Sequence, residues 1–270
     1  MRLRTFVIAL LLATPLAAHE GLHEQIAAMN ERIAQEPRNA SLYLKRGELH
    51  RLHGEWELAA RDYDAAQDLD ATLRGIELAR GMMLFDSGHA ADAIAPLRRY
   101  VAIEPRDVRG HAALARALRA AGKPQDAANE FALAVQQSPD FDPDLIVEHA
   151  AALVAANRRA DALAMLDRTM QQHGALITLQ LAAIDIDIKA RAFDDALRRV
   201  DAATATAERK ETWLARRGDI LLAAGRSDDA KVAYQQSLET IAALPPERRS
   251  MPALRELEQR LRLTLDKSTR

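Results

Sequence analysis

Apolar residues along this chain recur three and four positions apart, the spacing that puts them on one side of a helix. In GLHEQIAAMNERIAQEP this spacing places Leu22, Ile26, Met29 and Ile33 on one stripe. In SMPALRELEQRLRLTLDK it does the same with Leu254, Leu257 and Leu261. One segment disagrees. AAIDIDIKA alternates apolar and acidic residues and on its own reads as a half-buried strand.

A longer period resolves that conflict. Gly47 and Gly54 precede Ala59 and Tyr63; Gly81 and Gly88 precede Ala93 and Leu97; Ala115 and Gly122 precede Ala127 and Phe131. Ala150 and Asn157 then precede Ala162 and Leu166, and Gly218 and Gly225 precede Ala230 and Tyr234. The step is 34 residues, with a single step of 35 between the third and fourth units, and Pro105 and Pro139 close two of them. The alternating segment falls where this period requires a first helix, so Ile184 and Ile188 are expected to share a helical face. Asp187 then stands where other units carry Leu or His, and that unit is expected to be loose or to have a rotated first helix.

This pattern resembles the tetratricopeptide repeat: a small residue within a first helix, a Gly-containing turn, then Ala and a larger residue in a second helix, and a closing Pro. The resemblance implies an all-α fold, a right-handed α-solenoid of about six helix-turn-helix units with capping helices at both ends. The units are expected at 40–73, 74–107, 108–141, 143–176, 177–210 and 211–244, within a solenoid of 39–246. The capping helices are expected at 19–38 and 247–270. Small residues such as Gly47, Ala59, Gly81 and Ala93 let paired helix axes approach, while Tyr63, Leu97, Phe131 and Tyr234 fill the space between neighbours. Pro96 falls inside a predicted second helix, where it should kink the helix or mark its first turn.

Composition agrees with helices: 49% of residues are hydrophobic and 28% charged, but only 4% are aromatic. The first eighteen residues read as a leader rather than as part of the fold. MRLR is basic, FVIALLLA is too short an apolar run to span a bilayer, and TPLAA leads to a cut expected after Ala18. The expectation is a periplasmic or secreted protein without stable membrane insertion. Loss of Arg2 and Arg4 takes the basic count from 37 to 35 against 39 acidic residues, an excess that does not point to nucleic acid. The absence of cysteine excludes disulfides and a thiol nucleophile.

The resemblance also implies that the first helices line a groove for a segment of a partner protein, making the chain a non-catalytic interaction module or scaffold with no cofactor. Repeat position then points to Leu44, Glu48 and Arg51; Leu78, Met82 and Phe85; Arg109, Arg116 and Arg119; Val147; Asp185; and Asp219. This groove would be apolar with a basic centre and an acidic far end, and an arginine cluster suits a carboxylate. The paired Asn and Lys with which part of the family clamps a peptide's terminal carboxylate are missing, because Leu44, Glu48 and Ala79 stand in their places.

One motif competes. His19-Glu20-Gly21-Leu22-His23 spells H-E-x-x-H, the zinc-protease signature, but Ile26 and Met29 stand where a Gly and a third His would follow. Cleavage after Ala18 would instead leave His19 as a terminal residue whose amine and imidazole, with His23, could chelate a metal. His50 and His53, one turn apart, read as packing or surface residues rather than ligands.

Overall fold

A computed structural model describes the backbone of residues 16–267, with side chains from residue 21. The leader expected at 1–18 thus lies almost wholly outside the described residues. Fifteen helices and no strand occur among the described residues. They divide between two compact units, one ending at Ser138 and the other starting at Pro139.

In the first unit, α1 (Leu16–Gln35) precedes three antiparallel pairs: α2 (Ala40–His53) with α3 (Trp56–Leu69), α4 (Ile76–Asp86) with α5 (Ala90–Ile103), and α6 (Val108–Ala120) with α7 (Pro124–Gln137). The pairs close at glycine. A Cβ added at Gly47 would lie 2.5 Å from the Tyr63 ring, and one at Gly81 would lie 2.4 Å from Leu97. Successive pairs meet in the same way, since a Cβ at Gly110 of α6 would lie 2.7 Å from Tyr100 of α5. Ala59, Tyr63, Ala66, Ile76 and Ala79 form a buried cluster where the first two pairs join. α5 runs unbroken through Pro96, which is buried well past its first turn. The proline removes only the bond that the Asp92 carbonyl would accept.

The second unit holds α8 (Pro143–Ala155) with α9 (Arg159–His173), α10 (Ile177–Lys189) with α11 (Phe193–Thr206), and α12 (Lys210–Ala223) with α13 (Ser227–Ala242). A single turn, α14 (Pro246–Arg249), leads into α15 (Pro252–Lys267), which packs against α13. Leu254 and Leu261 bury α15 in the same core as Leu197, Val200, Ile220, Leu221 and Tyr234. Gly218 admits the Tyr234 ring at 2.3 Å from where a Cβ would stand.

AAIDIDIKA is helical through Lys189, where α10 ends with Ala190 as its cap, and its odd residue is not exposed. Asp187 is fully buried and held by Arg159 of α9 at 2.6 Å and Arg199 of α11 at 2.9 Å; Arg199 also grips Asp167 of α9. A lone buried carboxylate would be expensive, but one shared by two guanidiniums ties three helices together. The turns show how strictly the period is kept. Asn157 and Arg191 stand at the repeat position of the turn glycines, and both adopt positive φ, 61° and 57°. Most residues with a Cβ avoid that region, so the geometry of the hairpin overrides local preference there.

Gly218→Val is expected to lower stability by about 1–3 kcal/mol through overpacking against Tyr234. Urea unfolding checks this, and an unchanged midpoint would show that the helices of this pair need no bare backbone at their crossing.

Candidate functional site

On the first helices of the unit ending at Ser138, most of the expected groove residues are already engaged. Glu48 accepts the Tyr63 hydroxyl at 2.7 Å and an Arg51 N–H at 3.1 Å. Arg51 reaches across to Asp86 of α4. Burial works against the Arg51 charge, but Glu48 and Asp86 outweigh it and the pKa moves up. Leu78 is buried, so it belongs to the core rather than to an open surface. Leu44, Met82 and Phe85 are half-buried.

The basic centre is carried by α6. Arg109 and Arg119 are exposed and Arg116 is half-buried. Arg109 turns back onto Asp107, which caps α6 by accepting the Arg109 backbone N–H at 2.9 Å and its guanidinium at 2.8 Å. Asp107 also accepts the Tyr100 hydroxyl at 2.5 Å. The Arg109 guanidinium holds the Asp107 carboxyl down at about 2, while burial, with Asp107 behind it, pushes the Tyr100 hydroxyl up to about 12.

In the unit starting at Pro139, Val147 is half-buried on α8, whereas Asp185 and Asp219 come together in a pocket of about 480 Å³. Its lining is Ile177, Leu181 and Asp185 from α10; Arg209 just before α12; Thr212, Trp213, Ala215, Arg216 and Asp219 from α12; and Leu257 and Arg260 from α15. The expected acidic end is therefore neutralised. Arg216 pairs with Asp185, and Arg260 pairs with Asp219 at 2.8 Å. Tyr234 donates its hydroxyl to Asp219 at 2.9 Å, repeating in the last helix pair the Tyr63 to Glu48 bond of the first.

The histidines divide between packing and the first helix. His50 is buried and bonds Glu55 at 2.6 Å, and His53 also approaches Glu55, at 3.1 Å. His23 of α1 packs its ring edge-on against His53, with centroids 4.4 Å apart. His19 lies in α1, and its side chain is outside the described ones. Among the described residues, no group of three or more His, Asp or Glu side chains is arranged to hold a metal ion.

Reading by repeat position missed Trp213, Arg216 and Arg260. Trp213 and Arg216 lie on the right helix, six and three positions before the expected Asp219, and Arg260 meets Asp219 from 41 residues away, which no local pattern encodes. The tyrosine-to-carboxylate bond did leave a signal: a carboxylate fifteen residues before a tyrosine, in the first and last pairs alike.

The sequence matches two family models, Tetratricopeptide repeat over residues 78–143 and Tetratricopeptide repeat-like domain over 147–251. No curated protein matches it. Among solved structures, it is similar to the C-terminal part of a TPR repeat-containing protein from Cytophaga hutchinsonii, with 14% identity and a TM-score of 0.64 over 89% of this chain and 95% of that one. It is also similar to a tetratricopeptide repeat protein from Parabacteroides merdae, with 12% identity and a TM-score of 0.57 over 94% of each. PilF of Pseudomonas aeruginosa aligns with 14% identity and a TM-score of 0.51 over 83% of this chain and 97% of that one. At these identities the likeness is one of fold.

Asp107→Ala should cost about 1 kcal/mol at neutral pH by removing the cap of α6. A carboxyl with a depressed folded pKa stabilises above its unfolded value of about 3.9, and that contribution is lost as pH falls through about 2. The stability gap between wild type and variant should therefore narrow across that window in urea titrations. A constant gap would show that the charge of Asp107 contributes nothing.

Proposed function

We propose, on the premise that this chain belongs to the tetratricopeptide repeat family, that it is a non-catalytic interaction module or assembly scaffold. In this reading it holds a segment of a partner protein against the face made by its first helices. The observation that carries the reading is the pocket between α10, α12 and α15, where Ile177 and Leu181 stay 62% and 38% exposed beside three arginines. Large apolar side chains left open next to hydrogen-bond donors suit a protein ligand better than water. On the second helices of this unit, Ala196, Val200, Ala230 and Tyr234 are spent on the core.

Export to the cell envelope is part of the proposal. It is supported by the basic start MRLR, the short apolar run FVIALLLA and the small residues before His19. No helix among the described residues is long and apolar enough to cross a membrane.

Crosslinking pull-downs from the native envelope test the module. Leu181→Asp, and separately the triple variant Arg109→Glu, Arg116→Glu and Arg119→Glu, should each weaken capture of the same partner while helicity is kept. Capture unaffected by either variant would overturn binding on this face. The intact mass of the purified chain tests export: loss of residues 1–18 is expected, and a full-length mass from the envelope fraction would overturn cleavage.

A further inference from the structure

The pocket in the unit starting at Pro139 has a wall that the helix pairs do not supply. Ile177 and Leu181 stand on one side, and Leu257 and Arg260 of α15 stand on the other. α15, which packs against α13, therefore also lines this pocket.

The charges of the lining are uneven: Arg209, Arg216 and Arg260 against Asp185 and Asp219. Each guanidinium is anchored through only part of its donor set. Arg216 uses one Nη on Asp185, and its Nε is buried without a partner. Arg260 uses one Nη on Asp219, and Arg209 uses its Nε on Glu211, a residue almost wholly buried and not part of the lining. The three side chains stay 34–49% exposed, so the anchored guanidiniums are held in place while their outer Nη groups remain donors, which favours a charge-assisted acceptor over a neutral one. Arg209 precedes α12, Arg216 lies within it and Arg260 lies on α15, so the three come from separate stretches of the lining.

We propose that this pocket takes a partner segment in which a bulky apolar side chain is bracketed by acidic side chains. The apolar residue lies between Ile177, Leu181 and Leu257, and the flanking carboxylates meet the arginines. This rests on the reading of the first-helix face as the partner surface, and it adds the chemistry of the occupant.

The test uses the full chain and dansylated peptides with amidated ends, read by fluorescence anisotropy at low ionic strength. GSELFEGS should bind about tenfold tighter than its neutral isostere GSQLFQGS, and GSEGGEGS should not bind. The advantage of the acidic peptide should shrink as salt is raised. The double variant Arg209→Gln and Arg260→Gln should reduce GSELFEGS to the level of GSQLFQGS, with the circular dichroism spectrum confirming that the fold is kept. The single variant Arg209→Gln removes a guanidinium whose ion pair is with Glu211 of α12, so a loss seen there as well reports on charge and not on displacement of α15.

Equal binding of the acidic and neutral peptides, binding that ignores the arginine variants, or tighter binding of GSLF with a free carboxyl end would each overturn the proposal. So would failure of every peptide to bind. If that failure occurs while Leu181→Asp still abolishes capture in the pull-down, the chemistry proposed for the occupant is wrong and the interaction module stands. If Leu181→Asp leaves capture unchanged as well, both fall.

Discussion

Everything in this protein depends on two helices being allowed to touch. At Gly47, Gly81 and Gly218 the backbone of a first helix lies so close to Tyr63, Leu97 or Tyr234 that a single added carbon would sit 2.3–2.5 Å from the side chain. That closeness lets a small pair of helices exclude water along its length, with alanines such as Ala59, Ala93 and Ala230 lining the opposite side of the seam. No pair has enough apolar surface to be stable alone, so each must also present a side for its neighbour. The tyrosines serve both needs, with the ring in the seam and the hydroxyl on a carboxylate of the first helix.

Polar contacts then fill the places where the repeat departs from its own pattern. Asp187 stands where other units carry Leu or His, at the junction of three helices, and the structure answers with two arginines. Removing either guanidinium would leave the buried Asp187 carboxylate with a single partner, and removing both would leave it without compensation. Asp62 shows the same solution, gripped by both ends of the Arg46 guanidinium and approached by His50.

The helices and their pairing were legible because a 34-residue period repeats the same small and large residues, and packing at those positions is nearly all local in sequence. The period even overruled the alternating AAIDIDIKA, because a solenoid position is a stronger constraint than a nine-residue pattern. The site was far less legible. Position within the repeat pointed to Asp185 and Asp219, which both line the pocket, yet it read them as a negative surface, because their neutralising partners Arg216 and Arg260 come from the next helix pair and from outside the repeats. Leu78 was expected in the open and is core, since the same helical face serves both roles at different depths. Ion pairs between residues 28 to 41 positions apart leave no mark in a periodicity.

The double role of α15 has a thermodynamic corollary. Leu254 and Leu261 dock the helix, while Leu257 and Arg260 face the pocket, so the pocket exists only in molecules whose last helix is seated. α15 is held chiefly by α13, and a helix with few packing neighbours opens more readily than one packed on both sides. Any occupant therefore selects the seated population, and by reciprocity the seated population binds more tightly than the average molecule. Affinity at this pocket and the seating of α15 on α13 are the same equilibrium viewed from two sides.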